Sequence, residues 1–545
     1  MTLRRANIAR ISDGHFDVLV VGAGINGAVV AASLAGRGAS VALVDRGDFG
    51  AFTSQESSNL VWGGMKYLEH YELPLVFGLC RSRNRLMKAY PDNIKEIGFL
   101  AALDQGAPYA PWFAALGATA YWAIGMFGTR HPRLFSAEQV KEEEPAIDTT
   151  TVRGGMQYQD AYLPDNDSRF VFSFVRSAIE AGAAAANYVE LVSAERTEDR
   201  WTCRLRDTDS GAELTTSARV VINAAGPFVD DLNHAWGITT EHRIVYSKGI
   251  HLIVPRLTTH RHDRVLAFFD DTQRLFYVIP MGHRSVIGTT DTRVDTPYTH
   301  VDDEDREFLL GQINARLDLP EPLTVDDVIA ERSGVRPLVV RRGAGNQETK
   351  EWTSLSRRHE VERDDARAVV TVFGGKLTDC LNVGEEVAEH VEALGIPLEK
   401  DLGNWYGEPA KATRTEFYRQ ARLMKLDRLR TKPTEALTDR LWRRYGRRAF
   451  DMLEAIRADP TMGEDIMGSA DYLRAELHNA AVHEMIVTLD DFMRRRSKID
   501  LVVRDEDVLA SPGLAEVAQI LFGKHAERRL ADYVAGKAAE RRAAG

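Results

Sequence analysis

The chain has 545 residues, more than one ordinary hydrophobic core serves, so two or three domains are expected. Its 44% hydrophobic and 27% charged residues are those of a globular protein; a net charge of -11 speaks against nucleic acid as a partner and offers no attraction to an acidic lipid surface. Three cysteines, Cys80, Cys203 and Cys380, fit neither a disulfide framework nor a metal-ligand spacing, so no metal is expected and each reads as a small buried hydrophobe in a reducing cytoplasm.

Met1 to Arg10 is basic with no apolar stretch behind it, which is not the pattern of a signal peptide, and residues 1–15 read as an N-terminal extension. Asp17 to Val21 then reads as a buried parallel strand. Gly22, Gly24 and Gly27 form a G-x-G-x-x-G turn, Ile25 to Arg37 a helix that Gly38 is placed to end, and Ser40 to Val44 a second strand. Asp45 follows, 23 residues after Gly22. Glycine lets the backbone approach a pyrophosphate, the helix N-terminus meets the phosphate charge, and the acid accepts from a ribose hydroxyl. Strand, turn, helix, strand and acid in this order predict a dinucleotide site.

A polar loop covers residues 50–59, and a helical pattern runs through about Leu75 to Ala89. From Gln105 to Thr129 no side chain is charged, and Tyr109, Trp112, Phe113, Tyr121, Trp122 and Phe127 lie in the run. Pro108, Pro111, Gly117 and Gly125 interrupt it, which argues against a spanning helix. It reads either as a contact with the membrane interface or as a buried or channel-lining helix pair. A helix is expected at about Ser168 to Ala186, two strands between Tyr188 and Leu205, and the strand Val220 to Ala224, ending in Ala225-Gly226-Pro227. Strands dominate about 240–330: His251 to Val254, Leu275 to Ile279 and Ser285 to Gly288, then a helix near Asp302 to Leu317. Val369 to Phe373 is a further apolar strand, followed by Gly374-Gly375-Lys376-Leu377-Thr378 and a helix to about Leu394. From about 408 onward the pattern is wholly helical, with a boundary near 405.

The first motif suits NAD and FAD alike. Two later features favour FAD. Hydroxyls of Thr53, Ser54, Ser57 and Ser58 follow the acid and are placed to run along a pyrophosphate and ribityl chain. The strand and turn at 369–378 supply a second helix N-terminus, whose dipole suits the negative charge of a reduced flavin.

These residues also carry a resemblance. Gly22-Ala-Gly-Ile-Asn26-Gly27, Ser57-Ser58, Gly63-Gly64-x-x-Tyr67-Leu-Glu-His-Tyr71, Ala225-Gly-Pro227, Lys248-Gly-x-His251, Ile287-Gly-Thr-Thr-Asp291, Ser333-Gly-Val-Arg-Pro-Leu338 and Phe373-Gly-Gly-Lys-Leu-Thr378 resemble FAD-dependent glycerol-3-phosphate dehydrogenase. The helical tail is similar too, at Arg443-Arg-Tyr-Gly446, Tyr472-Leu-x-Ala-Glu476 and His483-Glu484 to Arg496. The resemblance implies an α/β protein with a glutathione-reductase-like, FAD-binding Rossmann fold, an inserted β-rich substrate domain and a C-terminal all-helical domain. The expected FAD domain is discontinuous within 16–405, over about 16–100, 155–240 and 330–405. The inserted domain takes about 101–154 and 241–329, and the helical domain 406–545. It implies oxidation of sn-glycerol 3-phosphate to dihydroxyacetone phosphate, a quinone acceptor, peripheral contact with the inner face of the cell membrane, and is compatible with a homodimer. His251 is then the candidate base, because neutral imidazole titrates near the working pH. Arg336 is the phosphate ligand, with Lys376, Tyr67 and Lys66 beside the substrate. Cofactor contacts are expected from the glycine turn with Asn26, Asp45, the hydroxyl loop, Gly63, Gly64, Ala225, Gly226 and the run Gly374 to Thr378.

The chain departs from the family pattern at five positions. His-Gly-Gly-Leu-Arg-Tyr is here Trp62-Gly-Gly-Met-Lys66-Tyr67; the lysine after Ser-Ser is Asn59; the serine before the base is Ile250. Two further readings therefore stay open: a flavin enzyme acting on another polyol phosphate, 2-hydroxy acid or amine, and a flavin-binding interaction protein without catalysis.

Overall fold

A computed structural model describes residues 2–544 except 259–262, 271–273, 344–357, 400–403, 430–434 and 469. Its centre is an eight-stranded sheet in which 369–374, 213–223, 15–21, 41–44 and 184–186 lie parallel in that order. His15–Val21 is covered on both faces, as a continuous apolar run demands. Val18 and Val20 pack with the helices Ile25–Ala35 and Cys380–Ala393, while Leu19 and Val21 pack on the opposite side with Trp201, Cys203 and Trp236. The outer strands 189–197, 200–207 and 359–364 run antiparallel to their neighbours.

A second sheet has ten strands, led by His242–Pro255, which pairs antiparallel with both Arg284–Gly288 and Ala330–Arg341. Strands at 95–104, 152–162 and 330–341 also belong to it, so it reaches beyond the 101–154 and 241–329 expected of the β-rich part. Hydrogen-bond pairing, invisible in composition, decides this membership. The helix expected from Ser168 to Ala186 is Asp167–Glu180; Gly182 turns the chain at φ +101°, and Ala184–Ala186 becomes a strand beside Val41–Val44. Alanine's helix propensity loses there to the open edge of a parallel sheet. Beyond 410 the described residues are helical, around two cores that include Trp442 and Phe492. All three cysteines are buried and free.

Within the uncharged run, Pro111–Ile124 is a single helix. It buries Ala118 and Tyr121 and exposes Trp112, Phe113 and Leu116, joined by Met126 and Phe127 just past its end. The pair of buried helices is thus replaced by one helix lying on the surface with an apolar outer face. No helix among the described residues is long and apolar enough to cross a membrane.

Candidate active site

The glycine turn is built by exclusion of side chains. A Cβ on Gly27 would stand 1.8 Å from the Gly22 carbonyl oxygen, and one on Gly22, at φ +97°, 2.6 Å from that of Ala224. Strand, turn and helix therefore meet closely only with glycine at both positions. The helix begins at Ile25 after Gly24, which has no side chain to cap it, and the Ile25 N–H donates to Ser54 Oγ at 3.0 Å. Asp45 accepts from the Ala23 and Gly47 N–H groups at 2.6 and 2.9 Å; burial pushes its carboxyl above the ordinary range, against the pull of those two bonds. Ala225 lies against the same turn, its Cα 2.9 Å from a Cβ built on Gly22, and Gly226 follows at φ +58°.

The second helix N-terminus comes to the same place. Asn26 Nδ2 donates to the Gly374 carbonyl at 2.8 Å, and Gly374 and Gly375 both take positive φ to turn the chain there. Asn26 Oδ1 is buried with no hydrogen-bond partner among the described residues. A glycine cradle, two converging helix N-termini, a buried acid and an orphaned amide oxygen fit a dinucleotide that brings phosphates and hydroxyl donors. If Asp45 accepts from its ribose, Asp45→Ala should weaken cofactor binding by roughly 1–3 kcal/mol, because a hydroxyl is left buried and unpaired. Titration of the apoprotein by flavin fluorescence checks this; an unchanged dissociation constant removes Asp45 from the site.

From this end a cavity of about 350 Å³ opens between the two sheets. Thr53, Ser54, Ser57 and Ser58 line it on one side and Gly375, Lys376, Leu377 and Thr378 on another; His251, Arg336, Lys66 and Tyr67 complete the wall. All five expected catalytic residues are therefore together. Gly63 and Gly64 lie behind the wall: a Cβ on Gly63 would stand 2.2 Å from the Tyr121 hydroxyl, and the Gly63 N–H donates to the buried Asp160 carboxylate.

His251 is buried, with Nε2 2.8 Å from Ser58 Oγ and Nδ1 without a hydrogen-bond partner among the described residues. Burial first, then the neighbouring charges of Arg332 and Arg336, hold its pKa well below 6.5. The imidazole is thus neutral at physiological pH and able to take a proton. Strand alternation explains Ile250: it faces the core on the other side of the strand, and Ser58 supplies the hydroxyl beside His251.

Arg336 is held by Thr289 Oγ1 at 2.7 Å and the Thr290 carbonyl at 3.1 Å, with Asp291 Oδ1 at 3.4 Å. Its guanidinium crosses Gly249 so closely that a Cβ there would stand 2.2 Å from Nη2. That explains the glycine in Lys248-Gly-x-His251. Lys248 itself pairs with Asp302 and Asp305 and does not line the cavity. Lys376 Nζ donates to the Tyr67 hydroxyl at 2.6 Å, beside the Trp62 ring. Lys66 forms no ion pair among the described residues, which leaves its charge available to the cavity.

Five contributors were given no site role by the sequence reading. Arg332 is fully buried and donates to the Ser57 carbonyl and Asn59 Oδ1 at 2.5 and 2.6 Å. Asn59, at φ +57°, fills a left-handed turn that suits asparagine better than lysine. Arg274, Asp291 and Glu56 also line the cavity. Arg332 was accessible from Arg336, since residues four apart on a strand share a face; the others arrive by long-range contacts.

The pattern of the FAD dependent oxidoreductase family matches residues 17–364, and that of the C-terminal domain of alpha-glycerophosphate oxidase matches 410–529. The aerobic glycerol-3-phosphate dehydrogenase of Escherichia coli is 30% identical over 92% of this chain and 98% of its own. The chain belongs to the FAD-dependent glycerol-3-phosphate dehydrogenase family. It is an FAD-dependent oxidoreductase, and its cofactor is FAD. The reading as a non-catalytic flavin-binding protein is thereby overturned. The D-erythritol 1-phosphate dehydrogenase of Brucella abortus is 30% identical over 88% of this chain and 94% of its own. Among solved structures, the Bacillus halodurans glycerol-3-phosphate dehydrogenase complexed with FAD has the same fold, with a TM-score of 0.74 at 21% identity over 98% of this chain and 97% of that one.

Proposed function

We propose that the protein oxidises sn-glycerol 3-phosphate to dihydroxyacetone phosphate and delivers the electrons to a quinone. The observation that carries this is one cavity holding a neutral, buried His251 together with the cationic side chains of Arg336, Lys66 and Lys376. Bound FAD supplies the hydride acceptor. Arg336 and Lys66 take the phosphate, the first with a fork that matches two phosphate oxygens. Lys376 and Tyr67, joined by their 2.6 Å hydrogen bond, orient the substrate's hydroxyl end. His251 accepts the proton of the hydroxyl that becomes a carbonyl, and Ser58 holds the ring in place.

A second reading has its own support. Lys66 keeps a charge but lacks the fork of the family's arginine, and Trp62 sets a large apolar face beside Lys376. The erythritol-phosphate relative, at the same level of identity, makes a longer polyol phosphate the second candidate. Loss of one charge-assisted hydrogen bond is worth on the order of 1.5–3 kcal/mol, or one to two powers of ten in kcat/KM. Lys66→Arg combined with Trp62→His should therefore raise kcat/KM for glycerol 3-phosphate by about that factor. Steady-state assays with glycerol 3-phosphate and erythritol 1-phosphate decide it. A wild type faster on the three-carbon substrate than the double variant makes Lys66 and Trp62 native parts of a glycerol 3-phosphate site.

The helix Pro111–Ile124 provides a route to a lipid-borne acceptor, because Trp112, Phe113 and Leu116 present an apolar face with no lysine or arginine in it. Binding through such a face rests on apolar burial. High salt should leave the protein on membranes and detergent should release it. Recovery of all activity in the soluble fraction of gently lysed cells contradicts the assignment.

A further inference from the structure

Three consecutive arginines near the end of the chain reach back to the hydroxyl loop. Arg494 Nη2 donates to both oxygens of the Glu56 carboxylate, at 3.0 and 2.9 Å. Arg496 holds Asp48 with its fork, Nη1 and Nη2 each 2.8 Å from one oxygen, and Arg495 adds a bond to Asp48 at 2.8 Å and one to Gln55 at 3.2 Å. The neighbouring helix Asp167–Glu180 adds a contact at its cap: Asn166 Nδ2 donates to the carbonyls of Arg494 and Ser497, both at 2.5 Å.

Ion pairs buried this deeply add little net stability, because desolvation offsets their attraction. What they do set is geometry, since a carboxylate with both oxygens bonded to a buried guanidinium is fixed in place. The loop they hold is the one that matters most to the reaction. Ser54 meets the first helix N-terminus, Thr53 Oγ1 donates to the Val335 carbonyl at 2.8 Å next to Arg336, and Ser58 touches His251. Glu56 sits among them in the cavity wall.

We propose that Arg494 is a positioning residue of the active site: its two-point grip on Glu56 fixes the 53–58 loop, and through Ser58 the base, so that the C-terminal helical region completes the catalytic centre. The proposal rests on the reading of His251 as base. A region that merely adds stability would change melting temperature and leave the rate of the folded, flavin-loaded enzyme alone.

The test uses full-length holoenzyme and the rate at which saturating glycerol 3-phosphate bleaches the flavin without oxygen, counted per bound flavin. Arg494→Met should slow bleaching on the order of 10- to 100-fold, the usual consequence of a small misplacement. KM should stay within about three-fold, because Arg336 and Lys66 stand on other elements. Arg494→Lys should fall between, keeping the charge on a shorter side chain that meets the Glu56 carboxylate less well. Arg440→Lys is the control: Arg440 pairs with buried Glu476 inside the helical region, at 2.7 Å, so it should lower melting temperature without slowing bleaching. Wild-type rates in Arg494→Met, or equal slowing in Arg440→Lys, overturn the proposal. Should Arg494→Met not fold, Arg494→Lys and Glu56→Gln carry the test, and wild-type rates in both overturn it. His251→Asn separates the two claims: if it bleaches at wild-type speed, the base assignment fails, whereas a slow His251→Asn beside fast Arg494 variants defeats the positioning role alone.

Discussion

His251→Asn should slow substrate oxidation by about 10²- to 10⁴-fold, the usual contribution of a positioned general base, with FAD content unchanged. Asparagine approximates the ring's size and can keep the contact with Ser58, but it cannot take the proton. The same residue sets the pH dependence. Burial, then Arg332 and Arg336, depress the pKa of His251 well below 6.5, so the base is lost only when the pH falls through that lowered value. The wild-type profile of kcat/KM should be flat through neutrality and decline in acid. Stopped-flow reduction of the flavin across pH checks both statements. An unchanged rate in His251→Asn, or an acid limb at or above 6.5, contradicts the assignment.

Arg336→Lys should lower kcat/KM by about one to two powers of ten, mainly through KM, and leave the flavin bound. The guanidinium is positioned from three sides, by Thr289, Thr290 and Asp291, and lies flat across Gly249. An ammonium on a flexible stem can meet neither those partners nor two substrate oxygens at once. Gly249→Ala should act in the same direction, since its methyl group would occupy the guanidinium's place. Wild-type kinetics in Arg336→Lys remove Arg336 from substrate binding.

The parts of the site legible in the sequence were those written in local order. Gly22 to Asp45 announces its turn because backbone clearance there admits only glycine, and Phe373 to Thr378 does so for the second helix start. The His251 and Arg336 motifs lie on paired strands, with Ser247 opposite Arg336 and His251 opposite Arg332, which is why two distant stretches form one wall. What the sequence hid depends on contacts across hundreds of residues. Glu56 reads as one more loop acid until Arg494 is seen to hold it, and Asn59 reads as a lost lysine until its left-handed turn and its bond to Arg332 are seen. The alanines at 184–186 misled for the opposite reason: their local preference is helical, and a neighbouring strand overrode it.

The central claim is that this cavity oxidises a phosphorylated polyol at a flavin. Anaerobic titration of the yellow holoenzyme with sn-glycerol 3-phosphate tests it most directly, with dihydroxyacetone phosphate assayed in the same cuvette. The account predicts that the flavin absorbance bleaches with one ketone phosphate formed per flavin reduced, and that His251→Asn bleaches far more slowly. A flavin that stays oxidised with glycerol 3-phosphate and erythritol 1-phosphate, yet is reduced by an amine or a 2-hydroxy acid, would contradict it.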